Sequence, residues 1–154
     1  MEYETQIAAV IGAALDKAGY QYRYMDANAS FYMTFQLNNC RLQEVQVIVC
    51  IRRESLVIFC LSPVRVLPER LQDAALYLTG CNYDLVYGHF EMNPEDGEIR
   101  CRYMIDCSEH LPSMKTVEAA IHATVNTMER YGNGLLDVLY LHADPLAEVA
   151  KAEE

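Results

Sequence analysis

Two neighbouring stretches, residues 44–51 and 55–61, are apolar on both sides of an extended chain, and that property constrains the fold more than any other. Successive residues of a strand point to opposite faces of its sheet. In the first stretch Val45, Val47, Val49 and Ile51 share one face, and Ile48 and Cys50 lie on the other; in the second, Leu56, Ile58 and Cys60 oppose Val57, Phe59 and Leu61. Arg52-Arg53-Glu54 separates them, so they read as central strands of a sheet covered on both faces. If helices cover one face only, something else must cover part of the second, and a partner chain is the natural candidate.

A second hairpin follows from residues 85–92 and 98–106, joined by Asn93-Pro94-Glu95-Asp96-Gly97. Asn93 can hydrogen-bond forward to backbone, Pro94 is preset for a turn, and Gly97 accepts the positive φ that ends such a loop. Ile99, Cys101, Tyr103 and Ile105 share one side with Phe90 and Met92, while Glu98, Arg100, Arg102 and Asp106 face away. A slip of one residue would expose Ile99 and Tyr103 and bury two arginines, so the register is well determined.

Residues 4–18 carry Ile7, Val10, Ile11, Ala14, Leu15 and Ala18 at helical spacing, with Gly19 just past the end. Residues 20–26 and 31–37 read as a first hairpin around Asp26-Ala27-Asn28-Ala29-Ser30. That Asp-x-Asn-x-Ser run resembles the start of a calcium loop, but Phe31 stands where a glycine is needed and Leu37 where a glutamate is. It reads as a turn. Ser62-Pro63 predicts the end of the fourth strand, and Pro68 begins a helix striped by Leu71, Ala74, Ala75 and Leu78 and closed by Thr79-Gly80. Ser113 is the expected N-cap of a last helix with Val117, Ala120, Ile121, Thr124, Val125 and Met128 buried. Gly132-Asn133-Gly134 predicts a bend, after which the helix continues to about His142; Asp144-Pro145 then opens an acidic tail, residues 144–154, expected to fray.

The order is helix, two hairpins, helix, hairpin, long helix (α-ββββ-α-ββ-α). It predicts a single α+β domain over residues 1–154, with an antiparallel meander sheet of about five to six strands and three helices mostly on one face. Six cysteines, Cys40, Cys50, Cys60, Cys81, Cys101 and Cys107, are expected to be reduced, several as core residues. Met1-Glu2-Tyr3-Glu4 is acidic and runs into a helical pattern, unlike a signal peptide, and no apolar run approaches the about 18 residues of a membrane span. The expected location is the cytoplasm, without a membrane partner. A net charge of −10 repels phosphate backbones, so no nucleic acid is expected, and it favours basic partners.

The stretch from Asn82 through Gly88-His89-Phe90-Glu91-Met92, the Glu95-Asp96-Gly97 turn and the alternating strand ending at Asp106 resembles the YbjN-domain family of bacterial proteins, described as regulators of sensory transduction. The resemblance implies a fold like that of the type III secretion chaperones. It also implies no enzymatic activity, and no catalytic residues to carry over. Those chaperones are small, acidic, dimeric proteins that hold extended client segments along apolar grooves, and their middle helix contributes to dimerisation. A homodimer or a protein client is therefore the implied partner, and no cofactor is implied.

Among the residues themselves, Tyr20, Tyr22 and Tyr24 line one side of the first strand, where tyrosines suit a surface that faces water until a partner buries it. The alternative is packing under the first helix. The stripe of Leu71, Ala74, Ala75 and Leu78 is divided in the same way between core and symmetric contact. A small-ligand sensor is the second expectation for the chain. The third is a thiol or metal enzyme at Cys107 and His110, which lacks a second ligand pair or an oxyanion turn; His89 beside Glu91 reads as a surface residue.

Overall fold

A computed structural model describes residues 2–154; Met1, where the acidic N-terminal reading begins, lies outside the described residues. Helix α1 spans Glu2–Ala18, and the strands that follow are β1 (Arg23–Met25), β2 (Ser30–Gln36), β3 (Glu44–Arg52) and β4 (Ser55–Arg65). Helix α2 (Leu71–Tyr83), strands β5 (His89–Met92) and β6 (Glu98–Asp106), and helices α3 (Met114–Tyr140) and α4 (Pro145–Ala152) complete the described chain. The strands form one antiparallel open sheet in the order β1-β2-β3-β4-β6-β5. The fold class is the α+β meander expected, with a fourth helix in addition.

Helices α1, α2 and α3 lie on one face, where Val45, Val47, Val49, Leu56, Ile58, Cys60, Ile99 and Cys101 are buried against Ile7, Ile11, Val117, Ile121 and Met128. The opposite face carries a separate small cluster of Cys50, Val57 and Phe59, flanked by Ile48. Among the described residues no helix covers this second face. Phe59 is nonetheless only 4% exposed, because side chains of the sheet itself close over it. Self-coverage by one chain therefore removes much of the apolar surface that had called for a partner.

Several boundaries differ from the sequence reading, each for a physical reason. Strand β4 does not stop at Ser62-Pro63: the register shifts between Leu61 and Arg65, and pairing resumes at Arg65 and Glu98. Proline has no N–H for a ladder and is tolerated at such an irregularity. Strand β5 starts only at His89, because Gly88 has φ +74° and packs against the Arg102 carbonyl, leaving Val86 and Tyr87 exposed. The turn after it forms as expected: Asn93 Oδ1 accepts from the Glu95 N–H at 3.0 Å, and Gly97 has φ +74°.

Helix α2 runs through Gly80 to Tyr83, and its buried face is Ala74, Tyr77, Leu78 and Cys81, with Leu71 half-buried and Ala75 exposed. Gly80 does not end the helix; it makes room for α4, since a Cβ there would sit 2.9 Å from Val149 Cγ2. The tail expected to fray is ordered as α4. Asp144 caps it, accepting from the Ala147 N–H at 2.8 Å, and Val149 is buried against α2 and α3. Helix α3 continues as one helix through Gly132 and Gly134. A Cβ at Gly132 would lie 2.5 Å from Cys40 Sγ, and one at Gly134 would overlap the Tyr77 hydroxyl, so both glycines serve close packing.

Candidate functional site

The tyrosines that follow α1 are separated by the way the helix ends. Gly19, at φ +73°, turns the chain, and the Tyr20 N–H returns to the Leu15 carbonyl at 3.0 Å. Tyr20 then points toward α3: its hydroxyl meets His122 Nε2 at 2.6 Å, and its ring stands edge-on to Phe35 with centroids 5.1 Å apart. Tyr22 and Tyr24 lie farther along, against Phe31 of β2, at centroid distances of 5.6 and 4.5 Å. The Tyr22 hydroxyl donates to Asp16 at 2.9 Å, which fixes its ring against the side of α1.

Between α1 and these rings lies a half-open groove of about 600 Å³. Ala8 and Ala9 form its helical wall, Tyr22, Tyr24 and Phe31 its aromatic wall, and the carboxyl groups of Glu4 and Asp26 are part of its lining. The small alanine side chains leave the space, and the rings give it an apolar body. No lysine or arginine lines it. Glu4 and Asp26 take part in no ion pair among the described residues. Desolvation first, and then the neighbouring Asp26 carboxylate, push the Tyr24 hydroxyl above its usual range; Tyr22 is raised first by its hydrogen bond to Asp16. Both hydroxyls stay protonated at neutral pH, so the groove holds donors and carboxylates together. Its chemistry suits a cation carried on an apolar stem.

Strand β1 borders the groove and is the end strand of the sheet, so its outer backbone edge has no strand partner. All three of its residues are exposed. The other end is closed differently. Asn82 Oδ1 accepts from the Phe90 N–H at 2.6 Å and Asn82 Nδ2 donates to the Phe90 carbonyl at 3.0 Å, so one side-chain amide occupies both of the Phe90 backbone groups a further strand would use.

The remaining sequence candidates lie elsewhere. Ala74 and Leu78 are inside the core, and Leu71 is partly buried against it. Cys107 is buried, its sulfur contacts the Ile105 carbonyl at 3.6 Å, and burial pushes its thiol upward; His110 is exposed in the following loop and makes no hydrogen bond among the described residues. The thiol–imidazole pair is not assembled. Among the described residues no cluster of three or more His, Cys, Asp or Glu side chains is placed to hold a metal, and no helix is long and apolar enough to cross a membrane. The sequence reading missed Glu4, Ala8, Asp26 and Phe31 as groove residues. The available signal was the Ala8-Ala9 pair on α1 beside a run of alternating tyrosines, of which only Tyr24 lies in a strand, since β1 is limited to Arg23–Met25 and not the expected residues 20–26.

The sequence from residue 8 to 137 matches the YbjN family model, described as "Putative bacterial sensory transduction regulator". No curated protein matches the chain. Among solved structures, the crystal structure of YbjN from E. coli, described as "a putative transcription regulator", superposes with a TM-score of 0.58 over 84% of this chain and 88% of that one. The two share 8% sequence identity, so this likeness concerns the fold.

Proposed function

The chain belongs to the YbjN family, and from that premise we propose that it is a non-enzymatic regulatory module that binds an extended, basic segment of a partner polypeptide beside α1. The observation that carries this reading is the groove itself: aromatic and alanine walls, with Glu4 and Asp26 in its lining and no basic residue. A lysine or arginine side chain fits such a place, with its stem on the rings and its charge near the carboxylates, and each cation–π contact contributes about 0.5–2 kcal/mol. The free edge of β1 offers backbone donors and acceptors alongside, so a segment entering the groove can also extend the sheet. A net charge of −10 raises the local concentration of basic segments and speeds encounter.

The test uses a short fluorescein-labelled peptide alternating lysine with leucine, titrated with the protein at low and physiological salt. Binding is expected, weakened about tenfold by Tyr24→Ala or Asp26→Asn. A proline in the middle of the peptide is expected to weaken it further by removing strand hydrogen bonds. A melting curve for each variant separates lost binding from lost fold. Equal affinity for wild type and both variants, or for an acidic peptide of the same design, overturns the reading. Binding of butylammonium alone, as tight as that of the peptide, would make the groove a small-ligand sensor instead.

A further inference from the structure

On the face of the sheet away from the helices, three guanidinium groups converge on one ring. Those of Arg52, Arg100 and Arg102 lie 5.6, 4.2 and 5.8 Å from the centroid of Phe59. A fourth, from Arg23, lies 5.5 Å from the centroid of Tyr32. Register places them together: Arg23, Tyr32, Ile48, Phe59, Arg102 and His89 are successive partners across the whole sheet. The chain has 12 Lys and Arg against 22 Asp and Glu, and four of those arginines share this face with Glu44, Glu91, Glu98 and Asp106.

Few carboxylates answer them. Glu91 meets Arg100 Nε at 2.5 Å and Arg102 Nη1 at 3.7 Å. The other acids of this face are held by partners other than these four arginines, with Glu44 and Asp106 keeping their charge: Glu44 accepts from Gln36 at 2.9 Å, Glu98 lies 3.6 Å from Arg65, and Asp106 accepts from the Ser108 N–H at 2.9 Å. Arg23 and Arg52 take part in no ion pair among the described residues. Like charges held close repel, and the repulsion is relieved when anions arrive. The rings hold the guanidiniums in place beforehand, which lowers the entropy lost when a carboxylate pairs with them. Around them lie apolar side chains: Ile48 and Leu61 are half-buried, and Met104 is 55% exposed.

We propose that the open face of the sheet docks an acidic polypeptide segment, its carboxylates paired by Arg23, Arg52 and Arg102 and its apolar side chains seated on Ile48, Leu61 and Met104. The occupant follows from charge and from the apolar ground between the charges. A second copy meeting this face with its own brings no carboxylates to Arg23, Arg52 and Arg102 other than Glu44, Glu91, Glu98 and Asp106, which each copy already holds with partners of its own. A nucleic acid would bring phosphates but little to cover Met104 and Ile48, and a long polyanion is repelled by the rest of the molecule. This surface is distinct from the groove beside α1: it lies on the other side of the sheet and selects the opposite charge.

The test is fluorescence anisotropy with a short labelled peptide alternating glutamate with leucine, set beside its lysine counterpart and an oligothymidylate. The glutamate peptide is expected to bind, more weakly as salt rises, and to lose about tenfold in affinity with Arg52→Glu/Arg102→Glu. Because these side chains also cover Phe59, Arg52→Gln and Arg102→Gln are measured alongside with their melting curves; each is expected to stay folded and lose several-fold. Tyr24→Ala, in the other groove, is expected to leave this affinity unchanged. No binding of the glutamate peptide overturns the proposal, as does binding indifferent to the arginine substitutions or weaker than that of the oligothymidylate. Self-association abolished by the same arginine substitutions would also overturn it, by making a second copy the occupant.

Discussion

Tyr77 and Gly134 illustrate how single residues set this fold. Tyr77 is fully buried, its hydroxyl donates to the Tyr131 carbonyl at 2.6 Å, and Gly134 supplies the gap in which that hydroxyl sits. Gly134→Ala gains about 1 kcal/mol of helix propensity but overpacks the site, so a net loss of about 1–3 kcal/mol is expected in urea unfolding. Tyr77→Phe loses about 1 kcal/mol through the missing hydrogen bond, and combining it with Gly134→Ala should be less damaging than the sum, because the overlap with the hydroxyl is removed and only the tight ring contact, Cζ at 3.1 Å, remains. The six cysteines are free and buried, and burial pushes the thiols of Cys81 and Cys101 up to about 12. An aromatic disulfide reagent should therefore modify none of them in the native protein and all six in denaturant. Acid acts through other residues. The Glu98 N–H, and then Arg65, hold the Asp96 carboxyl below its usual range, and the Ser108 N–H does the same for Asp106. A depressed carboxyl stabilises the native state above its unfolded value near pH 4 and ceases to do so as pH falls through the native one, so the urea midpoint should drop below about pH 4. Asp96→Asn should flatten part of that drop. The cysteines were legible as core residues from strand parity; the Tyr77–Gly134 fit was not, because a glycine in a helix gives no sign of what lies against it.

At the level of elements, alternation and helical spacing located the strands and long helices well, since burial of one face is what those patterns record. The misreadings came where a residue that usually ends an element is placed against something specific. Pro63 sits where β4 shifts register, Gly80 lies under Val149, and Gly132 lies against Cys40 and Leu42. A short acidic terminal segment predicts fraying, yet the sequence holds the cap of α4, Asp144-Pro145, and its anchor, Val149. Val149→Ala is expected to cost about 1 kcal/mol or more, and deletion of residues 145–154 more than that, both read as lower melting temperatures. Asn82 is the small counterpart on the other side of α2. Asn82→Ala leaves the Phe90 N–H and carbonyl unpaired beside the end of the sheet, an expected loss of about 1–3 kcal/mol with faster amide exchange at Phe90. Its place in the stretch that resembled the family has that physical reason.

On the scale of the whole molecule, the doubly apolar strands correctly announced a sheet buried at its centre, and register decides how much of the second face the chain's own side chains cover. Arg100 and Arg102 could be assigned to the outer face from parity, but only the alignment of β6 beside β4 puts them over Phe59. Net charge concealed this as well: −10 describes the average of a molecule with an acidic aromatic groove on one side and guanidiniums on the other. The two ends of the sheet are unequal too. Phe90 has its backbone groups taken by Asn82, while β1 is bare. A ribbon that recruits copies without limit needs two sticky margins on every unit, and this chain offers one. Joining through that margin would stop at a pair, so the guest strand proposed for it would not seed a filament.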